Sequence, residues 1–311
     1  MTECRPSATH QHRPAAPRSA GFLMALTLVL LPLLCSGAAA ALQDAFPGPA
    51  AIPSRGCGKQ LPFPVNAPLD LNLPVADPIL FNKYREYYLA LPPGYNNTVP
   101  LPLVLSFHGF YDEAVHMQKT DKLMFMARTK APFIVVHPQG LMDTGTHAPA
   151  KPYPQRTWNC GGTTSSPGPL GPTCNTTNRT GDWGVYPCYL SCQNPLHGGC
   201  KDTCSSTTCA NDTLFVETLL DELEDRLCVD RRRIHSTGIS NGGMMAYQTA
   251  VDFSSRLASV FPVAGSAMLG FWTPPTTPVA LMDIHGTRDN IIPANASNGY
   301  QYSICTIHVA Y

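Results

Sequence analysis

The tightest constraint on this chain is one short segment, "GISNGG" (Gly238 to Gly243), set between a strand pattern and a helix pattern. "RIHSTG" reads as a short strand leading into it, and "NGGMMAYQTAV" carries it on as a helix. A strand that becomes a helix at once must bend sharply, and Gly238 and Gly242 leave room for the bend. The turn pushes the Ser240 hydroxyl out of the carboxyl edge of a sheet, in front of the first amides of the helix. Alone, Gly-x-Ser-x-Gly is a weak signal. The strand-turn-helix setting makes it a strong one.

The rest of the chain repeats that alternation. "REYYLALPPGY" (Arg85 to Tyr95), "LPLVLSFHG" (Leu101 to Gly109), "FIVVHPQG" (Phe133 to Gly140), "LASVFPVAG" and "VALMDIHG" read as apolar strands closed by turns. Thr120 and Asp121 offer caps to a helix through "KLMFMARTK". Asn211, Asp212 and Thr213 offer them to "TLFVETLLDELEDRL", where Val216, Leu219, Leu220, Leu223 and Leu227 share one face. Strands alternating with helices predict a mostly parallel sheet with helices on both faces.

Residues 141 to about 210 interrupt the rhythm with a long Gly-, Pro-, Thr- and Cys-rich stretch. Seven cysteines crowd into it: Cys160, Cys174, Cys188, Cys192, Cys200, Cys204 and Cys209. The closest pairs have three or four residues between them, not the two of a Cys-x2-Cys zinc site, so a disulfide-stapled insertion is expected. Ahead of the sheet, residues 42–82 form a Pro-rich extended lead-in, expected to be tied down through Cys57. At the start, Arg5, Arg13 and Arg18 precede an apolar run from Phe22 to Cys35 and a small-residue tail, the layout of a signal peptide over residues 1–41. Pro32 interrupts a run already short of a bilayer span. A secreted protein without a stable membrane anchor is expected. Five Asn-x-Ser/Thr sites, at Asn96, Asn175, Asn178, Asn211 and Asn295, fit a glycoprotein of that route. With 21 basic and 21 acidic residues the formal charge is zero, which offers no footprint for nucleic acid.

A serine hydroxyl is a poor nucleophile at neutral pH and needs a base, itself oriented by a carboxylate. Asp289 in "IHGTRDNIIP", a few residues past a strand, is the candidate acid. Asp283, within the strand itself, is the poorer one. The two oxyanion-hole amides are expected from Asn241, directly after Ser240, and from Phe110 after "LSFHG", with Tyr111 as the fallback. His108 reads as a histidine that shapes the turn, and Met244 and Met245 as core packing.

On these residues the chain resembles a known family. "RGCGK", "REYYLALPPGY", "LSFHG", "VVHPQG", "LCVDRRRIHSTGISNGGMMAY", "PVAG" and "IHGTRD" fall in the order of secreted feruloyl esterases and esterases similar to polyhydroxybutyrate depolymerase. The resemblance implies an α/β-hydrolase domain over residues 83–311, with Ser240 as nucleophile, Asp289 as triad acid and the amides of Phe110 and Asn241 as oxyanion hole. It implies no metal and no organic cofactor. Trp158 in "TWNC" falls where the family carries Trp-Asn at the active-site rim. Two readings of it stay open: a wall of the acyl pocket, or an aromatic packed beneath the insertion.

The resemblance also implies a histidine well past the acid, after a further helix and strand. Only 22 residues follow Asp289, too few for that unit, so the last strand is expected to be missing. The one histidine among them is His308, a base only if the tail takes an unusual path. Three readings remain: an incomplete esterase, an esterase using His308, or a secreted binding protein without activity. The substrate is an ester, either a hydroxycinnamoyl ester of plant wall polysaccharide or a hydroxyalkanoate polyester, and a monomer is expected.

Overall fold

A computed structural model describes residues 50–64, 68–77, 84–142, 156–160, 191, 208–267, 274–289 and 292. The segment expected as a signal peptide, most of the cysteine-rich insertion and His308 lie outside the described residues.

A seven-stranded sheet forms the centre. Its strands are β1 (Leu69–Pro74), β2 (Tyr84–Ala90), β3 (Leu101–Phe107), β4 (Ile134–Pro138), β7 (Val229–Ile239), β8 (Ser259–Val263) and β9 (Ala280–Leu281). The two-residue β5 (Leu141–Met142) and β6 (Arg156–Thr157) pair with each other beside it. The order across the sheet is β1-β2-β4-β3-β7-β8-β9. β1 and β2 run antiparallel, and every pair from β4 through β9 is parallel. This is the mostly parallel α/β arrangement expected. From β3 the chain steps outward to β4, then returns past β3 to place β7. The switch point of the topology therefore lies between the carboxyl ends of β3 and β7, where open α/β sheets leave a crevice for a ligand.

Among the described residues four helices fill the connections: α1 (Ala114–Thr120), α2 (Leu123–Thr129), α3 (Asp212–Arg226) and α4 (Asn241–Asp252). β4 shows why both faces are covered. All five of its residues are buried. Ile134 and Val136 join one apolar cluster with Phe215, Leu219 and Leu223 of α3 and Met245 of α4. Val135, turned the other way by the period-two alternation, joins Ala127 of α2 and Ala90. The continuous apolar run "FIVV" is the sequence form of a strand buried on both sides. Asn211 caps α3, its Oδ1 accepting from Leu214 N–H at 2.9 Å, while Asp121 Oδ1 accepts from Leu123 N–H at 2.9 Å at the start of α2. No helix among the described residues is long and apolar enough to cross a membrane.

The sheet begins earlier than the expected boundary at residue 83. β1 lies inside the Pro-rich lead-in, where Leu69, Leu71 and Leu73 alternate with polar residues toward the core. The prolines around "LDLNLP" mask that signal, and Pro is tolerated here because β1 is an edge strand. The lead-in is tied down through Cys57, which bonds to Cys228 at the amino end of β7. Asn97 gathers the same corner. Its Nδ2 faces the carbonyls of Gly56, Lys59 and Arg226 at 3.0, 2.9 and 3.1 Å, and its Oδ1 accepts from Cys228 N–H at 2.7 Å.

The Cys57–Cys228 bond closes a loop of 171 residues, and long loops lose the most denatured-state entropy on cross-linking. The double variant Cys57→Ser/Cys228→Ser is expected to lose about 2–5 kcal/mol of unfolding free energy in denaturant titrations. Its fluorophosphonate labelling in the folded state should be unchanged, because the bond sits at the opposite strand ends from Ser240.

Candidate active site

Phe107 and Gly238 are register partners on neighbouring parallel strands. Three residues further along the chain from each, past the strand ends, Phe110 and Asn241 come to the same sheet edge, with Ser240 directly before Asn241. Ser240 has φ 57° and ψ −121°, a conformation that costs a non-glycine residue of order 1–3 kcal/mol and is held only by its surroundings. Its N–H donates to the Val263 carbonyl at 2.9 Å, pinning the turn to the end of β8. Its own carbonyl accepts from Met244 N–H at 2.9 Å, the first turn of α4. The side chain makes no capping bond to the helix. The hydroxyl is thus left to other chemistry.

The glycines of the motif are a matter of contact. A Cβ on Gly242 would lie 2.2 Å from the Phe107 carbonyl oxygen and 2.4 Å from that of His108. One on Gly238 would lie 2.3 Å from the Gly242 carbonyl oxygen. Nothing but hydrogen fits at either position. Gly109 differs: a methyl there would meet the Ile239 carbonyl oxygen at 3.5 Å, Ser240 Cβ at 3.7 Å and Ile239 Cγ2 at 3.8 Å, all ordinary contacts.

Trp158 holds the two sides of the edge together. It is fully buried, and its indole Nε1–H donates to the His108 carbonyl at 2.9 Å. Its main chain meets the Asn241 side chain twice, with Trp158 N–H donating to Oδ1 at 2.7 Å and Nδ2 donating to the Trp158 carbonyl at 3.1 Å. The ring stands edge-on to Phe107 at 5.1 Å and lies parallel to Phe215 at 6.5 Å. Arg85 covers the Phe215 ring at 4.2 Å and pairs with the buried Asp212 at 2.6 Å, and Asp212 Oδ2 accepts from Asn159 N–H at 2.6 Å. Of the two readings open for Trp158, this is the geometry of packing and clamping. The side chain of Asn241 was missed in the sequence, where only its amide drew notice.

The loop after β3 is fixed by hydrogen bonds of its own. Tyr111 N–H already donates to the Arg156 carbonyl at 3.0 Å, which spends the fallback donor. Asn241 opens α4, and the first amides of a helix have no partner within it. His108 is fully buried and cannot serve as base. Gly140 N–H donates into its Nε2 at 2.9 Å, so the ring proton sits on Nδ1 and is given to the Gly109 carbonyl at 2.7 Å. Burial lowers its pKa to about 4, against a smaller upward pull from the Gly109 bond. Cys160 lies below, its thiol 3.5 Å from the carbonyls of Trp158 and Asn241. Burial raises that thiol well above its usual pKa, which leaves it protonated.

Asp289 lies past β9, two strands along from β7, or about 10 Å by the usual strand spacing. Its Oδ1 accepts from Ile292 N–H at 2.9 Å and its N–H donates to the Gly286 carbonyl at 3.1 Å, so a tight turn fixes the carboxylate. His285 Nε2 stands 3.5 Å from Oδ2 and 2.5 Å from the Ile292 carbonyl, closing that turn. Asp283 faces the other side of the same ring, 3.8 Å from Nδ1, with its pKa raised by burial. The described residues place Phe110, Ser240, Asn241 and Trp158 at one edge and Asp289 further along it. Among them no group of His, Cys, Asp and Glu is arranged to hold a metal ion.

Comparison with known proteins points one way. No family model matches the chain. Feruloyl esterase C of Emericella nidulans is 31% identical over 88 residues, 28% of this chain and 32% of that protein. Feruloyl esterase B of Piromyces equi is 27% identical over 117 residues, 36% of this chain and 18% of that protein. The bifunctional acetylxylan esterase/xylanase XynS20E of Neocallimastix patriciarum is 26% identical over 89 residues, 29% and 13% of the two chains. The likeness is to esterases. It spans a third or less of each of these relatives' own length. Among solved structures, a thermostable esterase aligns with TM-score 0.44 at 17% identity, covering 74% of this chain and 49% of its own. An acetyl xylan esterase from Aspergillus awamori gives 0.41 at 12%, covering 67% and 55%.

Two measurements follow from this geometry. Gly242→Ala is expected to cost about 3 kcal/mol or more in denaturant unfolding, whereas Gly109→Ala stays within about 1 kcal/mol. The second concerns pH. The folded chain keeps His108 neutral down to about pH 4, while the unfolded chain takes up a proton near 6.5. That contribution is whole above pH 6.5 and is lost as pH falls toward 4, by about 3 kcal/mol in total. In wild type, stability should fall more steeply across that window than in His108→Gln; equal slopes would refute the neutral, buried assignment.

Proposed function

We propose that this chain is a secreted serine carboxylic-ester hydrolase of feruloyl esterase type, acting on acyl esters of plant cell-wall polysaccharide through an acyl-enzyme. The observation that carries the reading is the strained backbone of Ser240, held at the switch point with its hydroxyl uncommitted to the helix. The 31% identity to feruloyl esterase C over 88 residues supports the acyl group named.

In this mechanism Ser240 Oγ attacks the ester carbonyl and the tetrahedral oxyanion takes hydrogen bonds from the amides of Phe110 and Asn241. The Trp158 bridge serves by keeping those two amides at fixed separation, since donors set in advance need no reorganisation as charge develops. A histidine oriented by Asp289 accepts the Ser240 proton and hands it to the departing alcohol. Water then attacks the acyl-enzyme by the same route. The turn that fixes the Asp289 carboxylate suits it to orienting an imidazole. His308 is the candidate for that imidazole in this sequence.

A fluorophosphonate probe should label the folded chain at Ser240, and Ser240→Ala should abolish labelling. Asp289→Asn should lower kcat on methyl ferulate roughly 10³–10⁴-fold, the loss seen when a triad acid no longer fixes the tautomer of its histidine. His308→Ala should lower it comparably if His308 is the base, and leave it unchanged if not. No labelling of the folded wild type would sink the enzyme reading, and faster turnover of a hydroxybutyrate oligomer than of methyl ferulate would move the substrate to polyesters.

A further inference from the structure

His285 is a buried imidazole that the acyl-transfer steps leave unused. Its side chain is 6% exposed and stands between the end of the sheet and the turn that carries Asp289. The chain just before it is fixed. Ser240 N–H donates to the Val263 carbonyl at 2.9 Å, and Val263 forms a parallel bridge with Ile284. Ile284 N–H donates to the Pro262 carbonyl at 3.1 Å, and its carbonyl accepts from Ala264 N–H at 2.8 Å. The backbone leading into His285 therefore shares one hydrogen-bonded frame with the turn of the nucleophile.

The chain just after it lies past the last strand, and Gly286, Thr287 and Arg288 are exposed. Two bonds give this turn its shape: Asp289 N–H to the Gly286 carbonyl at 3.1 Å, and Ile292 N–H to Asp289 Oδ1 at 2.9 Å. Both are internal to the turn, so neither sets its orientation against the sheet. The His285 ring supplies that link. Its Nε2 lies 2.5 Å from the Ile292 carbonyl, which only accepts, so the ring donates there. Ile292 thus has both main-chain groups engaged, its N–H on Asp289 and its carbonyl on His285. The residue is 9% exposed, which leaves water little access to replace the ring. Nε2 also stands 3.5 Å from Asp289 Oδ2, while Nδ1 on the far side stands 3.8 Å from Asp283 Oδ2. The ring so separates the candidate acid from a second carboxylate.

We infer that His285 is the positioning residue of Asp289, its bond to the Ile292 carbonyl tying the acid's turn to the frame that holds Ser240. The assignment rests on the esterase reading, in which Asp289 orients the base, and adds to it the side chain that orients Asp289.

The test uses one variant that keeps the donor and one that removes it. Glutamine carries an amide N–H that can reach the Ile292 carbonyl, and alanine carries none. His285→Ala should lower kcat on methyl ferulate at least tenfold with KM within threefold, and His285→Gln should stay within threefold of wild type in both. Because the effect runs through Asp289, adding His285→Ala to Asp289→Asn should cost less than twofold more. Amide hydrogen exchange reads the tie without activity. Ile292 N–H should exchange at least tenfold faster in His285→Ala and be slow again in His285→Gln, while Val260 in β8 stays protected throughout. Equal kcat in wild type and His285→Ala, a tenfold further loss in the double variant, or an Ile292 exchange rate indifferent to His285 would overturn the assignment. A wild type that hydrolyses no ester, with Ile292 exchange still answering to His285, would overturn the esterase reading and leave the tie between His285 and the Asp289 turn standing.

Discussion

For a serine to stand at this sheet edge, two backbones must pass closer than any side chain allows. The end of β3 at Phe107 and His108 lies against the turn that leaves β7, with hydrogens of Gly238 and Gly242 filling the gap. That approach aligns the start of α4 with the loop after β3, and the two candidate oxyanion amides come one from each. Trp158 then fastens what the glycines permit, with its indole on the His108 carbonyl and its main chain on the Asn241 amide. Packing alone would not fix such a gap to a few tenths of an ångström. Directional hydrogen bonds inside a dry core do, because each partner left unpaired there would cost about 1–3 kcal/mol.

The fold divides its labour between the two ends of the strands. At the amino ends the Cys57–Cys228 bond and Asn97 join the lead-in, the turn before β3 and the start of β7. At the carboxyl ends three non-glycine residues, Tyr111, Ser240 and Ala264, take positive φ. Strain gathered at one end is tolerable because the other end and the shared core are over-determined. Fully buried Leu103, Leu105, Phe107, Ile134 and Ile234 tie the central strands to α3 through Phe215 and Leu219. The buried Arg85–Asp212 pair extends that core to the clamp, since Asp212 also receives the Asn159 amide next to Trp158. A pair this deep stabilises little in itself, yet losing either partner would strand a charge.

Much of this was legible before any coordinates. Gly-x-Ser-x-Gly between a strand and a helix determines the local geometry so narrowly that the elbow follows from steric rules. Apolar runs such as "LVLSF" and "FIVV", closed by turns, give the central strands, since a strand buried on both faces reads as a continuous apolar run. What escaped notice had no period to carry it. β1 was hidden by the prolines beside it. The short helix at Ala114–Thr120 carries no capping side chain, and its boundary is set by Glu113 and Gln139 acting through tertiary contacts. The Asn241 side chain and the Trp158 clamp join residues 83 positions apart, a distance that no local pattern spans. Tyr111, the fallback amide donor, has its N–H committed to the Arg156 carbonyl, a partner that no local pattern names.

His108 shows how structure and candidate chemistry are linked through one protonation state. Its ring accepts a hydrogen bond from Gly140 at one nitrogen and donates one to Gly109 at the other. A second proton would turn the acceptor into a donor facing another N–H, so the loop that carries Phe110 would have to open. The same residue's carbonyl receives the Trp158 indole. Charging the ring therefore disturbs both the loop and the clamp, whereas the neutral ring satisfies every contact. Burial is what keeps it neutral. His108, read in the sequence as a histidine that shapes the turn, does so through two hydrogen bonds that only the neutral ring can make.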